Sequence, residues 1–167
     1  MSLAVWAVLF VSLQRLGELI LARRNTRGLL AEGGREAGAG HYPLIVALHG
    51  AWLGWLWYLA AGDPALQWPY LAAYGALQPA RAWTMASLGR NWTTRIITVP
   101  GRSLVRRGPY RFCRHPNYLI VAAEIVAMPL ALGDWAGAAM FSTANAGLIG
   151  WRMRVEDRAL RPTDVNK

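Results

Sequence analysis

Five apolar segments, separated by loops that hold nearly all of the charge, constrain the fold of this 167-residue chain most strongly. The segments cover residues 3–22, 43–61, 67–89, 118–132 and 135–151. The first three reach the roughly 20 residues that an α-helix needs to cross a bilayer. The last two are shorter and are joined only by Gly133-Asp134, which predicts a short helical hairpin over 118–151. We therefore expect an all-α, polytopic integral membrane protein with about five transmembrane helices in one domain, 1–167.

The distribution of basic residues predicts the orientation of these helices. Sixteen of the 18 Lys and Arg residues lie after the first segment, between the third and fourth, or after the fifth. The positive-inside rule therefore predicts an external N-terminus, with the loop 90–117 and the tail 152–167 in the cytoplasm. Because long apolar runs separate the basic residues, the net charge of +9 fits a membrane better than nucleic acid, and no nucleic-acid partner is expected.

Ionisable residues inside the apolar segments are costly in lipid and are therefore candidate functional residues. Arg15 and Glu18 are three positions apart, so they share a helix face and can pair. Glu124 stands about two turns after Tyr118, where a catalytic carboxylate could orient or deprotonate a substrate hydroxyl. Alternatively, Glu124 pairs with Arg15 or Arg81. Both interpretations stay open.

The sequence predicts no metal site. Cys113 is the single cysteine, and neither His41 nor His49 has a Cys, Asp or Glu at metal-ligand spacing. We expect His49 to be a hydrogen-bonded packing residue. The connection from residue 31 to 40 is rich in Gly and other small residues, which predicts a mobile loop.

The basic loop before the fourth segment ends in a dense polar cluster. Pro116 suits the first turn of a helix, where its missing N–H costs nothing and the remaining free N–H groups favour a carboxylate. Tyr110 and Tyr118 offer flat faces for an adenine ring, and His115 offers a hydrogen-bond donor or acceptor. Glu156, beyond the fifth segment, could bind an amine or ribose hydroxyls. These groups suit a zwitterionic, adenine-bearing ligand; a charged loop at the membrane surface is the alternative.

Three short motifs stand in this C-terminal part, and their residues and spacing are distinctive. They are Gly108-Pro-Tyr110, Arg114-His-Pro-Asn-Tyr118 and Arg152-x3-Glu156-Asp157-x2-Leu160. Together they resemble the isoprenylcysteine carboxyl methyltransferase family, whose members are integral membrane enzymes that use S-adenosylmethionine. The N-terminal part, with Gln14-Arg15 and Glu18, and with His41-Tyr-Pro ahead of His49, is similar to a compact bacterial branch that O-methylates alkylpyrones or related phenolic lipids. This similarity implies a bacterial cytoplasmic membrane with the active site facing the cytoplasm.

The resemblance also implies roles for individual residues. Arg152 matches an arginine that contacts substrate near the reacting group, and it is the main candidate catalytic residue. The residues that match cofactor-binding positions of the family are Arg102, Ser103, Leu104, Val105, Tyr110, His115, Pro116, Asn117, Tyr118 and Glu156. Asp157 stands where the family often has a second glutamate.

The predicted function follows from the site and the resemblance together. We expect an S-adenosylmethionine-dependent methyltransferase that methylates a carboxyl, enol or phenol oxygen of a lipophilic substrate dissolved in the membrane. The expected partners are that lipophilic small molecule and membrane lipids, whereas the oligomeric state is not indicated. Two alternatives stay open, a membrane NADPH-dependent reductase and a non-catalytic transport or assembly protein.

Overall fold

A computed structural model describes residues 2–160 and contains five α-helices in this part of the chain. The helices are α1 (Leu3–Ala31), α2 (Tyr42–Ala61), α3 (Trp68–Leu88), α4 (Pro116–Ala131) and α5 (Trp135–Ala159). Two short strands, β1 (Arg35–Ala37) and β2 (Ile96–Thr98), lie in the connections. Each helix falls on one of the five apolar segments, so the prediction of a helical protein is confirmed.

The helices form a bundle whose two ends differ: one is filled with apolar side chains, and the other holds the polar 90–117 loop. α4 packs between α3 and α5, and α1 packs against α2. Buried apolar side chains fill the end at which α1 begins, with Val8, Trp52, Leu56, Ile125 and Met128 each at most 1% exposed. The 90–117 loop, the start of α4 and the end of α5 lie at the other end, which we call the loop end. The apolar core thus holds the bundle together away from the predicted site.

The outer face of α1 is apolar. The exposed side chains of this face are more than half accessible, and they are Trp6, Phe10, Leu13, Leu16 and Ile20. Such a row is unfavourable in water and is typical of a lipid-facing surface. In the described residues, Leu3–Ala31 and Ala39–Ala61 are long and apolar enough to cross a membrane, whereas α4 is apolar but shorter.

Two helices run further than the sequence predicts. α1 has 29 residues, so it is about 43 Å long and exceeds the roughly 30 Å of a bilayer core. α5 continues to Ala159 instead of ending at 151, so the predicted tail begins as helix. The physical reason is that charged residues end an apolar segment without ending a helix, since Arg and Glu are good helix formers. Arg161 and Lys167 lie outside the described residues.

The connection after α1 contains a short strand, which its composition does not predict. β1 pairs antiparallel with β2, with Glu36 opposite Ile97. Glu36 also accepts a hydrogen bond from Arg95 at 2.8 Å, which raises the pKa of Arg95, and the Arg95 guanidinium lies 4.5 Å from the Tyr42 ring centroid. The β1–β2 pairing therefore ties the connection between α1 and α2 to the loop that follows α3.

A buried cluster of two arginines and two glutamates joins α1, α3 and α4. Arg15 Nη1 lies 2.9 Å from Glu18 Oε2, which confirms the predicted pair, and Arg15 Nη2 lies 2.6 Å from Glu124 Oε2. Arg81 contacts both carboxylates, with Nη1 at 2.9 Å from Glu124 Oε2. Gln78 donates a further hydrogen bond to Glu124. Positive and negative charges balance, so the cluster ties three helices together without net buried charge.

Candidate active site

The helical hairpin of α4 and α5 brings the C-terminal motifs together. α4 begins at Pro116, as the proline predicts, and Gly133 adopts a left-handed φ of 78° in the turn to α5. Asp134 then caps α5 by accepting from the Gly137 N–H at 2.9 Å. Because α4 and α5 pack against each other with this short connection, the first turn of α4 lies beside the last turns of α5 at the loop end.

Tyr118 links two charged side chains of α5. Arg152 Nε donates to the Tyr118 hydroxyl at 2.7 Å, and that hydroxyl donates to Glu156 Oε2. Arg152 and Glu156 are four residues apart, so they share one face of α5. Arg152 is only 8% exposed. The hydroxyl therefore holds a desolvated guanidinium and a carboxylate at fixed positions beside each other.

His115 lies against the Tyr118 ring and close to Glu156, with Nδ1 at 3.9 Å from Glu156 Oε2. Its ring stacks on the Tyr118 ring, with centroids 5.3 Å apart and planes 18° apart. His115 Nε2 donates to Asp157 Oδ1 at 3.1 Å, and Arg114 contacts the same oxygen at 3.2 Å. Asp157 thus orients the imidazole from α5. Its side chain reaches the loop although it is shorter than the glutamate that the family often has at this position.

Tyr110 lies in a short turn, residues 108–111, that packs on α3. Burial raises the pKa of the Tyr110 phenol, and the nearby Glu156 carboxylate raises it further, so the hydroxyl stays protonated. Gly108 has a φ of 58°, and a Cβ at this position would collide with the Ser87 side chain. A glycine is needed there to let the turn approach α3, and this approach brings Tyr110 toward Glu156.

Asn117 carries an unsatisfied acceptor at the start of α4. Its Oδ1 atom is buried and has no hydrogen-bond partner among residues 2–160, while Pro116 beside it is buried. A buried acceptor without a partner costs about 1–3 kcal/mol, so such atoms are uncommon unless a ligand supplies the donor. An N–H group of a bound molecule would satisfy Oδ1.

The predicted cofactor segment Arg102–Val105 forms a second group at the loop end. It lines a cavity of about 580 Å³ together with Leu88, Arg90, Asn91, Arg106 and Arg107. Arg102 donates to Asn91 Oδ1 at 2.8 Å and pairs with Glu32. Ser103 and Leu104 are exposed, and Val105 is half-buried. Within residues 2–160, no side-chain hydrogen bond joins this segment to Tyr118, Arg152 or Glu156.

Glu124 lies outside the polar group around Tyr118. It is six residues further along α4, which is about 9 Å of helix rise. Its side chain is fully buried, and its carboxylate accepts from Arg15, Arg81 and Gln78. The structural interpretation expects Glu124 to pair with Arg15 or Arg81, and the carboxylate contacts both.

His41 is a site neighbour that the sequence motifs do not indicate. It is 3% exposed, and its ring centroid lies 5.7 Å from that of Trp151, directly before Arg152 in α5. The contact joins residues 110 positions apart. A His-Tyr-Pro sequence at a helix start carries no signal for such a contact.

Comparisons with known proteins agree with this arrangement. The model of the isoprenylcysteine carboxyl methyltransferase (ICMT) family matches residues 70–162, which include most of α3, the 90–117 loop, α4 and α5. The Uncharacterized protein YpbQ of Bacillus subtilis (strain 168) is 38% identical over 165 residues, which are 95% of this chain and 96% of the relative. Family membership and the two long apolar helices together indicate a membrane protein. The chain belongs to the isoprenylcysteine carboxyl methyltransferase family, a family of membrane methyltransferases.

Proposed function

We propose that this protein transfers a methyl group from S-adenosylmethionine to an oxygen atom of a lipophilic acceptor dissolved in the membrane. The observation that carries the proposal is the Arg152–Tyr118–Glu156 chain of hydrogen bonds at the loop end. It offers one buried cation and one carboxylate side by side, next to an unsatisfied Asn117 oxygen. A methyltransferase needs such groups because it must bind a cationic cofactor and an oxygen acceptor at adjacent positions.

The residues present fit S-adenosylmethionine. Glu156 and Asp157 would attract its ammonium group, and Asn117 Oδ1 would accept from an N–H of the adenine. The aromatic face of Tyr110 would stack on the base. The free N–H groups at the start of α4 would favour the carboxylate. We also propose that the Arg102–Val105 segment contributes to the cofactor site, as the family resemblance implies. When bound, the cofactor supplies a methyl group that its sulfonium already activates.

Arg152 would bind the acceptor oxygen. A guanidinium that is 8% exposed interacts with an anion more strongly than a hydrated one, since little water screens it. The Tyr118 hydroxyl holds Arg152 before substrate arrives, so less reorganisation is needed in the transition state. The chain's main contribution to rate is then alignment of the acceptor oxygen with the transferred carbon.

We propose that all five helices cross the membrane, with the N-terminus outside and the loop end in the cytoplasm. Basic residues at the ends of α1 and α5 and in the 90–117 loop support this topology. A lipophilic acceptor would enter between helices from the bilayer, while the cofactor would enter from water. The proposed location is a bacterial cytoplasmic membrane.

Binding of S-adenosylhomocysteine to detergent-purified protein tests the proposal, by isothermal titration calorimetry. We expect saturable binding in the wild type and its loss in Glu156→Ala. Asp63→Asn is the matched control, because Asp63 is an exposed carboxylate in the α2–α3 connection, and its positive φ of 48° is compatible with Asn. Failure of well-folded wild type to bind would reject the methyltransferase. Binding of NADPH instead would favour a reductase, and binding of neither would favour a transport or assembly role.

A further inference from the structure

The cavity at the loop end has more positive charge than the described residues neutralise. Its lining includes four arginines, which are Arg90, Arg102, Arg106 and Arg107. The Glu32 carboxylate pairs with both Arg90 and Arg102. Among residues 2–160, no carboxylate forms an ion pair with Arg106 or Arg107. Four guanidinium groups thus stand beside one carboxylate, and this excess of positive charge favours an anionic ligand.

Two hydrogen bonds hold arginines of the cavity in place without using all of their donors. Arg107 Nε donates to the Ser87 carbonyl oxygen at 2.8 Å, and Arg102 Nη1 donates to Asn91 Oδ1 at 2.8 Å. Ser87 and Asn91 lie on either side of Leu88, the last residue of α3. Because Arg107 uses only Nε in this bond, its terminal N–H groups can form the paired hydrogen bonds that a phosphate accepts.

The length of α3 places the cavity at the level of the lipid headgroups. α3 has 21 residues, so it is about 31 Å long, close to the roughly 30 Å of a bilayer core. Its last residue, Leu88, lines the cavity. In the proposed topology, Leu88 therefore lies at the cytoplasmic boundary of the membrane, where the phosphate groups of the lipids are located.

Apolar side chains lie beside the arginines. Leu104 lines the cavity and is 48% exposed. Trp83 is 54% exposed, and its Nε1 lies beside Gly108, the residue that follows Arg107. Exposed tryptophans are favoured at a membrane–water boundary. A free phosphate ion would leave Leu104 and Trp83 in water, whereas a phospholipid would place its glycerol and acyl groups against them.

We propose that the cavity binds the phosphate group of an anionic phospholipid from the cytoplasmic leaflet. Basic pockets at the cytoplasmic ends of membrane helices bind such headgroups. The phosphate would bind Arg90, Arg106 and Arg107, and it can replace Glu32 at Arg90 because an exposed ion pair is weak. These arginines lie outside the Arg102–Val105 segment that we assign to the cofactor site, so lipid and cofactor bind at the same time. This inference rests on the proposed topology and does not require methyl transfer.

Titration of the detergent-purified protein with dioctanoylphosphatidylglycerol tests the proposal, by isothermal titration calorimetry in an uncharged detergent. Dioctanoylphosphatidylcholine and inorganic phosphate are the comparison ligands. The first has the same acyl chains but no net charge, and the second has the charge but no chains. We expect saturable binding of the phosphatidylglycerol to the wild type, and binding at least about tenfold weaker for both comparison ligands.

The test variant is Arg90→Gln/Arg106→Gln, and Arg154→Gln/Arg158→Gln is the matched control. Arg154 and Arg158 are exposed residues of α5 at the same end of the bundle, so the control loses the same charge outside the cavity. The affinity of the test variant for the phosphatidylglycerol should fall about 30-fold, since each arginine near a membrane surface contributes about fivefold. The control should bind like the wild type, and both variants should keep the wild-type unfolding temperature and affinity for S-adenosylhomocysteine.

Four results would overturn the proposal. Equal affinity for the two phospholipids would show that the negative charge is not recognised, and equal loss of affinity in both variants would show that the cavity is not the site. Inorganic phosphate that binds as tightly as the lipid would make the cavity a site for a free anion. Competition between the lipid and S-adenosylhomocysteine would assign the arginines to the cofactor instead. Failure of the wild type to bind S-adenosylhomocysteine is a separate result, which rejects the proposed methyltransferase and not the lipid site.

Discussion

The Tyr118 hydroxyl has a role that a phenylalanine could not fill. It accepts from Arg152 and donates to Glu156, so it is bonded to one cation and one anion. Hydrogen bonds to charged groups contribute about 1.5–3 kcal/mol each, which is roughly one to two powers of ten in a binding constant. The orientation of both charged side chains therefore depends on one oxygen atom.

Tyr118→Phe should bind S-adenosylhomocysteine about ten- to a hundredfold more weakly than wild type, because Glu156 loses the donor that fixes it. Calorimetric titration of the purified variant measures the change. Tyr58→Phe is the control, because the Tyr58 side chain is 70% exposed and lies in α2. Equal affinity of Tyr118→Phe and wild type would show that the hydroxyl does not position the binding carboxylate.

Asn117 should show opposite effects on stability and on binding. Asn117→Ala removes a buried acceptor that has no partner in residues 2–160, so the ligand-free variant should be more stable, by up to about 1–3 kcal/mol. The same change should weaken S-adenosylhomocysteine binding, because the ligand loses its acceptor. Thermal unfolding in detergent with and without ligand measures both effects.

Asn25→Ala provides the comparison for Asn117. Asn25 Nδ2 donates to the Trp92 carbonyl oxygen at 2.8 Å, so its removal should destabilise the ligand-free protein. A lower unfolding temperature for ligand-free Asn117→Ala, with no loss of affinity, would contradict the assignment of Oδ1 to a ligand.

At the scale of elements, the buried ionic cluster couples three helices through two carboxylates. The Glu124 carboxylate neutralises part of the positive charge of Arg15 in α1 and of Arg81 in α3. Removing one partner of a buried pair leaves an uncompensated charge and costs about 3–5 kcal/mol. An exposed pair contributes at most about 1 kcal/mol, since water screens it. The two kinds of pair should therefore respond very differently to mutation.

Glu124→Ala should lower the free energy of unfolding by about 3–5 kcal/mol, because two arginines would share one carboxylate. Glu32→Ala is the control, and it should have little effect because Glu32 and its two partners are solvent-exposed: the side chain of Glu32 is 33% exposed, that of Arg102 37% and that of Arg90 80%. Adding Arg15→Gln to Glu124→Ala should recover part of the stability, since charge balance returns. Equal stabilities of Glu124→Ala and Glu32→Ala would show that the cluster does not join the helices energetically.

The sequence predicts some elements of this fold well because their cause is local. Apolar runs place all five helices, and Pro116 marks the first residue of α4. The ends of α1 and α5 were not predictable from hydropathy, because hydropathy measures the preference for lipid rather than the length of a helix. β1 and β2 have three residues each, too few for an alternating pattern, and they exist only because each supplies the other's partner.

In the candidate site too, features with a local cause are predictable from the sequence, and features that depend on tertiary packing are not. The spacing of Arg152 and Glu156 predicts a shared helix face, and the motifs predict that Tyr118 belongs with them. The contact of His41 with Trp151 could not be predicted, because it depends on how the connection after α1 folds back over α5. The cavity that Arg102–Val105 lines with Leu88, Arg90 and Asn91 depends on tertiary packing as well.

At the scale of the whole molecule, the polarity of the buried side chains changes along the bundle axis. Apolar packing fills one end, the ionic cluster lies in the interior, and the Tyr118 group lies at the loop end. The site residues Tyr118, Arg152 and Glu156 stand on packed helices, which hold side chains more accurately than loops do. With the proposed topology, this arrangement opens the site to water on the cytoplasmic side and to lipid on the membrane side.

The single cysteine allows the proposed orientation to be measured directly. Cys113 lies in the 90–117 loop and is partly exposed. A membrane-impermeant maleimide should therefore not label Cys113 in intact bacterial cells, and should label it after permeabilisation. The measurement reports the side of the membrane on which the loop lies, because the reagent reaches only the external surface of intact cells.

A second cysteine position tests the opposite side of the membrane. In a Cys113→Ser background, Asp63→Cys places a thiol at an exposed position in the α2–α3 connection, which the proposed topology puts outside. This variant should be labelled in intact cells to the same extent as in permeabilised ones. Labelling of Cys113 and protection of the Asp63→Cys thiol in intact cells would invert the topology. The loop end would then face away from the cytoplasmic supply of S-adenosylmethionine, so the proposed methyl transfer could not take place at the Tyr118 group.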